Sequence, residues 1–341
     1  MGTISVATRQ TGNDSSAGSH PSHVDRFRGA IWGQLVGDAA CLGSHWIYDL
    51  GELARIYPEG LAGFEAPAKG HYHHGKFPGD QTHYGDAALL LLRSVAELGR
   101  FDAADFGRRF VALMESPEYT GYRDHASRGT VANYHKFLDR NVDGIFDFQQ
   151  GADDDQPATA TRLAPVVVSH YLDNQLLHVT SAATKVCQDN DRAVAYMKCH
   201  ALILKELFNG QALVAAIQGV GEEVAAEPAY GPEIVHQIGE ALDFLSLSVP
   251  EVTVHFGQSC PLLHSFPAAI HAAVKYQDDF AAAVLSTAQA GGDSAGRASL
   301  IGAWLGAFLG IGGIPEDWRR RLTAYDAIER DVERLVRNLE V

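Results

Sequence analysis

A carboxylate at the head of a glycine-flanked helix is the first group in the chain placed for chemistry. The stretch GGDSAGRASLIGAWLGAFLGIGG runs from Gly291 to Gly313. Gly291 and Gly292 permit a sharp turn and a close approach of backbone to ligand. Asp293 follows at an N-cap position, where free N–H groups and the helix dipole favour an anion or polar ligand. Arg297, one turn further on, is placed to hold a phosphate through its planar fork. The plainer alternative is a capped core helix. A second polar group, Asp80, Gln81, Thr82, His83, Tyr84 and Asp86, precedes the apolar run AALLLLRSVAELG. Imidazole titrates near neutral pH, so His83 and the earlier His45 are proton-transfer candidates. Asp38 falls among small and apolar residues, where a carboxylate needs a helix end, a buried cation or a ligand as partner. His71, His73 and His74 lack the i, i+4 spacing of a well-made metal site, which favours a solvated loop. Cys260 lies near His255 and His264, but with no third orienting group it is expected to be a buried structural cysteine.

Helices must position these groups. Phe27, Ile31, Leu35 and Val36 share one face of DRFRGAIWGQLVGDAACLG, and Gly33 and Gly37 let another helix approach it. Gly302, Gly306 and Gly310 fall four apart and offer the same on the late helix. Asp86 is expected to cap the helix that follows it, with Asp80 to Tyr84 lining its entrance. Further helices are expected at about Ala103–Glu115, Arg128–Asn141, Gln175–Cys187, Asp191–Asn209, Gln211–Glu227 and Pro232–Ser246. ATRLAPVVVSHYL reads as another, with Pro165 inside it, and Asp153–Asp155 reads as a surface loop. No alternation of period two is long enough for a sheet, and no repeat appears. The expectation is therefore all-α, a single large multi-helix domain over residues 24–341. Met1–His23, rich in Ser and Gly, is expected to be a disordered tail.

Composition narrows the partners. A formal net charge of −15 makes a nucleic-acid backbone a poor partner, and the Arg319–Arg321 run is too short to reverse that. The four cysteines are scattered without a CxxC pair, which argues against a disulfide scaffold or structural zinc and fits the cytoplasm. No apolar run is long enough for a bilayer, so no membrane association is expected. A small-molecule substrate remains.

Three stretches, in this order on a helical background, resemble the ADP-ribosylglycohydrolase family, which includes the dinitrogenase reductase-activating glycohydrolases. GQLVGDAACLGSHW is similar to the family's helix ending Gly-Asp-Ala-Leu-Gly. QTHYGDAALLLL looks like its Thr-Asp-Asp-Thr-Gln segment and the helix after it. AGGDSAGRASLIGAWLGAFLGIGGIPEDW is similar to its Gly-Gly-Asp-Thr-Asp-Thr helix and Ile-Pro loop. The resemblance implies a central cleft between helices, where acids and threonines hold two Mg²⁺ or Mn²⁺ ions and a glycosidic bond to ADP-ribose is cleaved. Here His83 and Tyr84 replace the two aspartates after Thr82, and Ala295 and Gly296 replace the late Asp and Thr. His45 stands about where the family carries a glutamate. The implied ligands shrink to Asp293, Asp38 and Thr82, a degenerate or single-metal site, or no metal at all. The pattern looks most like the divergent branch that contains the J-type lens crystallins.

Two expectations follow. One is a hydrolase for an N-ribosyl bond in ADP-ribosylated or nucleoside-like substrates. In it Asp293, or else Asp80 or Asp86, stabilises positive charge at the anomeric carbon. His83 or His45 protonates the leaving group, and Trp46 and Tyr84 stack on base or ribose. Gln81, the Gly291–Gly292 backbone and Arg297 complete the substrate contacts. The other is a non-catalytic ligand-binding or structural member that kept the scaffold and lost the metal centre.

Overall fold

The computed structural model describes residues 21–141 and 143–339. The helices in its first half are α1 (His23–Ala40), α2 (Leu50–Ile56), α3 (His83–Leu98), α4 (Ala103–Glu115), α5 (His125–Arg140), α6 (Ala164–His170) and α7 (Leu176–Lys185). The second half continues with α8 (Asp191–Phe208), α9 (Leu213–Val224), α10 (Gly231–Asp243), α11 (Val249–Phe256) and α12 (Leu262–Lys275). It ends with α13 (Phe280–Gln289), α14 (Ser294–Leu309), α15 (Glu316–Arg320) and α16 (Tyr325–Arg337). The described residues form no strand, only isolated bridges such as Ile47 with Gly292. The protein is all-α. None of its described helices is long and apolar enough to cross a membrane.

Two helices buried almost all round, α1 and α14, run antiparallel through the centre. Glycine decides how near they come. A Cβ at Gly33 would stand 1.9 Å from the Gly302 carbonyl oxygen, and one at Gly29 would stand 2.0 Å from that of Gly306. The backbones therefore touch, with no room for a methyl group on either side. Gly310, on the same face, has its carbonyl carbon 2.9 Å from where a Cβ on Gly29 would stand and also ends α14, with a φ of 72°. Arg26 closes that end, its Nη1 donating to the carbonyls of Ala307 (3.0 Å) and Phe308 (2.9 Å).

Several element boundaries differ from expectation. Ser22 caps α1 in a reciprocal box with Asp25, so Ser22 and His23 belong to the fold and not to the tail. Residues 1–20 lie outside the described residues. The cap of α3 is Thr82, one turn before Asp86. α5 starts three residues earlier than the apolar pattern indicated, because Asp124 caps it by accepting from Ser127 N. Pro165 lies in the first turn of α6, where a missing N–H does no harm. Within Asp153–Asp155, Asp154 is buried and accepts from the Gln188 side chain at 3.0 Å.

Candidate functional site

The antiparallel seam carries the C-terminal end of α1 and the N-terminal end of α14 to the same end of the molecule. α3 and α5 also begin there, so three positive helix ends and the residues that cap them converge. Asp293 caps α14, its Oδ1 accepting from Gly296 N at 3.3 Å and standing 3.4 Å from His45 Nδ1. The other oxygen, Oδ2, is buried with no hydrogen-bond partner among the described residues. Burial lifts the Asp293 carboxyl to about 6, with the nearby Arg297 charge pulling the other way.

His45 meets this carboxylate, and His73, His83 and Tyr84 pack around His45, all buried. The His83 and Tyr84 rings lie 4.0 Å apart between centroids, His73 and His83 stack at 5.4 Å, and His45 and His73 at 5.6 Å. Burial holds His73 down at about 2 and His45 well below its ordinary value, so both imidazoles are neutral. His83 Nε2 faces Asp124 Oδ2 at 3.4 Å. Burial alone would push Asp124 up, but hydrogen bonds and charge from His83 and hydrogen bonds from Ser127 hold it below the usual carboxylate range. His71 fixes the loop that delivers His73. Its Nε2 reaches the His45 carbonyl at 2.5 Å, and its Nδ1 accepts from His73 N at 3.1 Å.

Trp46 roofs the cluster. It stacks on His45 at 4.4 Å and lies 4.9 Å from His83, while Tyr72 and Tyr122 meet its ring edge-on at 5.2 and 5.1 Å. Its φ of 62° is left-handed, a conformation that costs a bulky residue of order 1–3 kcal/mol. The Trp46 N–H donates to the Gly292 carbonyl at 2.6 Å, and Nε1 donates to Cys260 Sγ at 3.3 Å. Above Trp46 opens a pocket of about 240 Å³, lined by Tyr48, Tyr72, Tyr122, Asp124, His125, Arg128, Gln156 and Cys260. His125 is oriented there by Asp154, Nδ1 to Oδ2 at 2.9 Å. Cys260 forms part of the floor and is only partly exposed, its thiol pushed up by burial.

The expected site residues divide. Asp293, His45, Trp46, His83 and Tyr84 do come together. Asp38, Thr82 and Gln81 turn on one another: Thr82 N and Oγ1 donate to Asp38 at 2.7 and 2.5 Å, and the Gln81 amide donates to Asp38 Oδ2 at 2.9 Å. Asp80 ends a turn by accepting from Phe77 N, and Asp86 binds Lys76 Nζ at 2.8 Å and the Tyr119 hydroxyl at 2.9 Å. Both line a separate cavity, with Lys76, Phe77, Tyr119 and Thr323. Arg297 is fully buried, donating to the carbonyls of Gln258 and Gly291, so its fork braces the loop and is not free for a phosphate. Gly291 and Gly292 do adopt left-handed φ, but their N–H groups are taken by Ala288 and Ile47. Asp124, His125 and Asp154 join the site without a sequence signal for that role. The Asp ahead of HASRG was a cap signal for α5, and the Asp154–His125 contact crosses 29 residues.

A pair of hard, oxygen-ligated ions does not fit these residues. Mg²⁺ and Mn²⁺ need several oxygen donors, whereas Asp38 and Thr82 saturate each other and Asp293 offers one free oxygen among imidazoles.

The comparisons agree with the architecture. The family model for ADP-ribosylglycohydrolase matches residues 19–341. The chain is 24% identical to Crystallin J1A of Tripedalia cystophora over 322 residues, covering 91% of this chain and 96% of that protein. It is 23% identical to ADP-ribosylhydrolase ARH3 of Homo sapiens over 347 residues, covering 89% of this chain and 90% of that protein. A solved structure described as an ADP-ribosylglycohydrolase-related protein complex superposes with a TM-score of 0.72 at 21% identity, over 93% of this chain and 99% of that one. Helical architecture, sequence span and structural match all lead to one assignment: the chain belongs to the ADP-ribosylglycohydrolase family.

Proposed function

We propose that the chain is a hydrolase that cleaves an N-ribosyl bond of an ADP-ribosyl or nucleoside-like substrate, in the pocket above Trp46. The observation that carries this reading is Asp124, an ionised carboxylate at the base of an aromatic-walled pocket. Departure of the aglycone builds positive charge at the anomeric carbon, which a fixed carboxylate stabilises as water adds. His125, held by Asp154, is placed to pass a proton to the leaving group. Tyr48, Tyr72, Tyr122 and Trp46 supply faces and edges for a base or sugar. Arg128 stands exposed at the rim, where a phosphate can meet it. The volume of about 240 Å³ is below the range of roughly 300–1,000 Å³ for drug-sized ligands, so a ribosyl unit with one attached group fits inside and a longer substrate runs over the rim.

In this reading Asp293 backs the site and does not react. It does not line the pocket, whereas the similarly buried Asp124 does, so Asp124 takes the role first expected of Asp293, Asp80 or Asp86. The test is turnover of ADP-ribosyl-arginine, ADP-ribosyl-serine and a nucleoside panel by the full chain. Asp124→Asn should lose turnover on whichever substrate is accepted while remaining folded, since Asn caps a helix as well as Asp does and only the charge facing His83 is lost. An undiminished rate in that variant sinks the assignment. A second reading, a non-catalytic ligand-binding or structural member, is favoured by the locking of Asp38 and Thr82 into the scaffold and by the likeness to two crystallins. No turnover of any substrate by the wild-type chain would decide for it.

A further inference from the structure

Beneath Trp46 the molecule keeps more unsatisfied buried nitrogen than a finished core tolerates. His45 Nε2, both ring nitrogens of His73 and His83 Nδ1 are buried without a hydrogen-bond partner among the described residues, and His83 Nε2 has only its 3.4 Å approach to Asp124. The Tyr84 hydroxyl and Asp293 Oδ2 beside them are in the same position. Buried polar atoms are almost always paired, so several in one place call for a guest that accepts lone pairs. One nitrogen from each of His45, His73 and His83 lies within 4.8 Å of the other two. We propose that these three histidines form a mononuclear site for a divalent first-row transition ion, Zn²⁺ in the first instance, replacing the oxygen-ligated pair that the rest of the family's pattern implies.

Several features support the assignment. Three imidazoles suit zinc and its neighbours and are poor ligands for Mg²⁺. Metal-binding histidines usually give their second nitrogen to a carboxylate, and His83 has one in place, with Asp124 3.4 Å from Nε2. His45 Nδ1 accepts from Ala295 N at 3.3 Å and lies 3.4 Å from Asp293, so ligation through Nε2 puts the ring proton on Nδ1, facing that carboxylate. Those contacts leave His83 Nδ1 and His45 Nε2 for the ion. Nitrogens about 2.0–2.1 Å from a tetrahedral ion stand about 3.4 Å apart, so closure moves each ring by about 1 Å or less. The third donor is on a loop that can make that adjustment. His73 stacks with its plane 18° from His45 and 24° from His83, and ligation turns it about its side-chain torsion. Tyr84 and Asp293, which pack against His45, each keep an unpartnered oxygen for a fourth ligand or the water that supplies it.

The site stands or falls independently of whether the pocket above it hydrolyses anything. Full-length protein without an affinity tag is stripped with chelator and titrated with Zn²⁺ or Co²⁺. Bound metal is counted by elemental analysis, Co²⁺ geometry is read from visible absorption, and emission from Trp46, whose ring stacks on His45, is followed. The wild-type chain should bind one equivalent, with a tetrahedral Co²⁺ spectrum and a change of emission that Mg²⁺ does not produce. His73→Ala should weaken binding by about 100-fold or more, since only two ligands remain. His74→Ala, an exposed neighbour in the same loop, should bind as wild type does. His73→Gln keeps most of the side-chain volume and serves where the alanine variant does not fold. Binding well below one equivalent by the wild-type chain overturns the proposal, as does undiminished affinity in a folded His73 variant or an equal loss in His74→Ala.

Discussion

Two buried polar clusters stand side by side at the end of the α1–α14 seam, and they are built on opposite terms. In the first, Asp38 accepts from Thr82 N, Thr82 Oγ1 and Gln81, and Thr82 Oγ1 in turn accepts from Tyr84 N at 3.2 Å. The network ties the end of α1 to the start of α3. In the second, Asp293, Tyr84 and the three histidines reach nearly the same depth with most of their polar atoms unpaired. A satisfied network rigidifies a fold, and an unsatisfied one destabilises it unless something binds there. The family's motif positions are thus divided in this chain between a structural clasp and an open cluster.

The sharpest way to separate the clusters is to remove the centre of the clasp. Asp38→Ala strands the Thr82 N–H and hydroxyl in the interior and should cost about 3–5 kcal/mol of folding stability, seen by chemical denaturation. Its substrate affinity, measured on protein that remains folded, should be unchanged. Asp124→Asn should do the reverse. Loss of the charge that the proposed mechanism uses is expected to lower kcat by about 100-fold or more, at a smaller cost in stability than Asp38→Ala. A large fall in stability there would show that Asp124 belongs with the clasp.

Acidity gives a smaller and signed test. Burial raises Asp38 to about 6, even though hydrogen bonds from Thr82 pull it down. An unfolded Asp titrates near 3.9, so the folded chain holds this proton more tightly. The stability linked to it is complete below about pH 4 and is lost as pH rises through 6. Between pH 5 and pH 7 the wild-type chain should lose about 1 kcal/mol relative to Asp38→Asn. Parallel pH curves for the two proteins would refute the shift. The smallest effect is expected from Tyr84→Phe. Because the Tyr84 hydroxyl has no partner, its removal should leave stability within about 0.5 kcal/mol of wild type or raise it, whereas Thr82→Val should cost about 1 kcal/mol through its lost cap.

Sequence carried the scaffold well because glycine spacing and helix caps are local signals. Gly33, Gly302 and Gly306 mark the seam, and Asp293 is the cap it was expected to be. The site was legible only where its residues sit at those same helix ends, as His45, His83 and Tyr84 do. Arg297 misled because one turn past a glycine loop is also where a guanidinium can fold back onto that loop's carbonyls. Asp80 and Asp86 misled because a helix start points its successive residues in different directions, sending Asp86 to Lys76 and Tyr119. His73 lies in a stretch without periodicity, and nothing local says that it meets His45 and His83 in space. Asp124 carries a local signal, but one for capping, which conceals its second contact.

The strained backbone of Trp46 has a consequence for access. Its N–H is pinned to Gly292 and its indole is pinned to Cys260, so the roof cannot slide aside as a piece of main chain. Anything passing between the aromatic pocket and the histidines must wait for the indole to rotate on a fixed hinge and give up its sulfur contact. Occupancy below would then persist long after the solution above has changed, and the pocket and the cluster would exchange their contents on separate clocks.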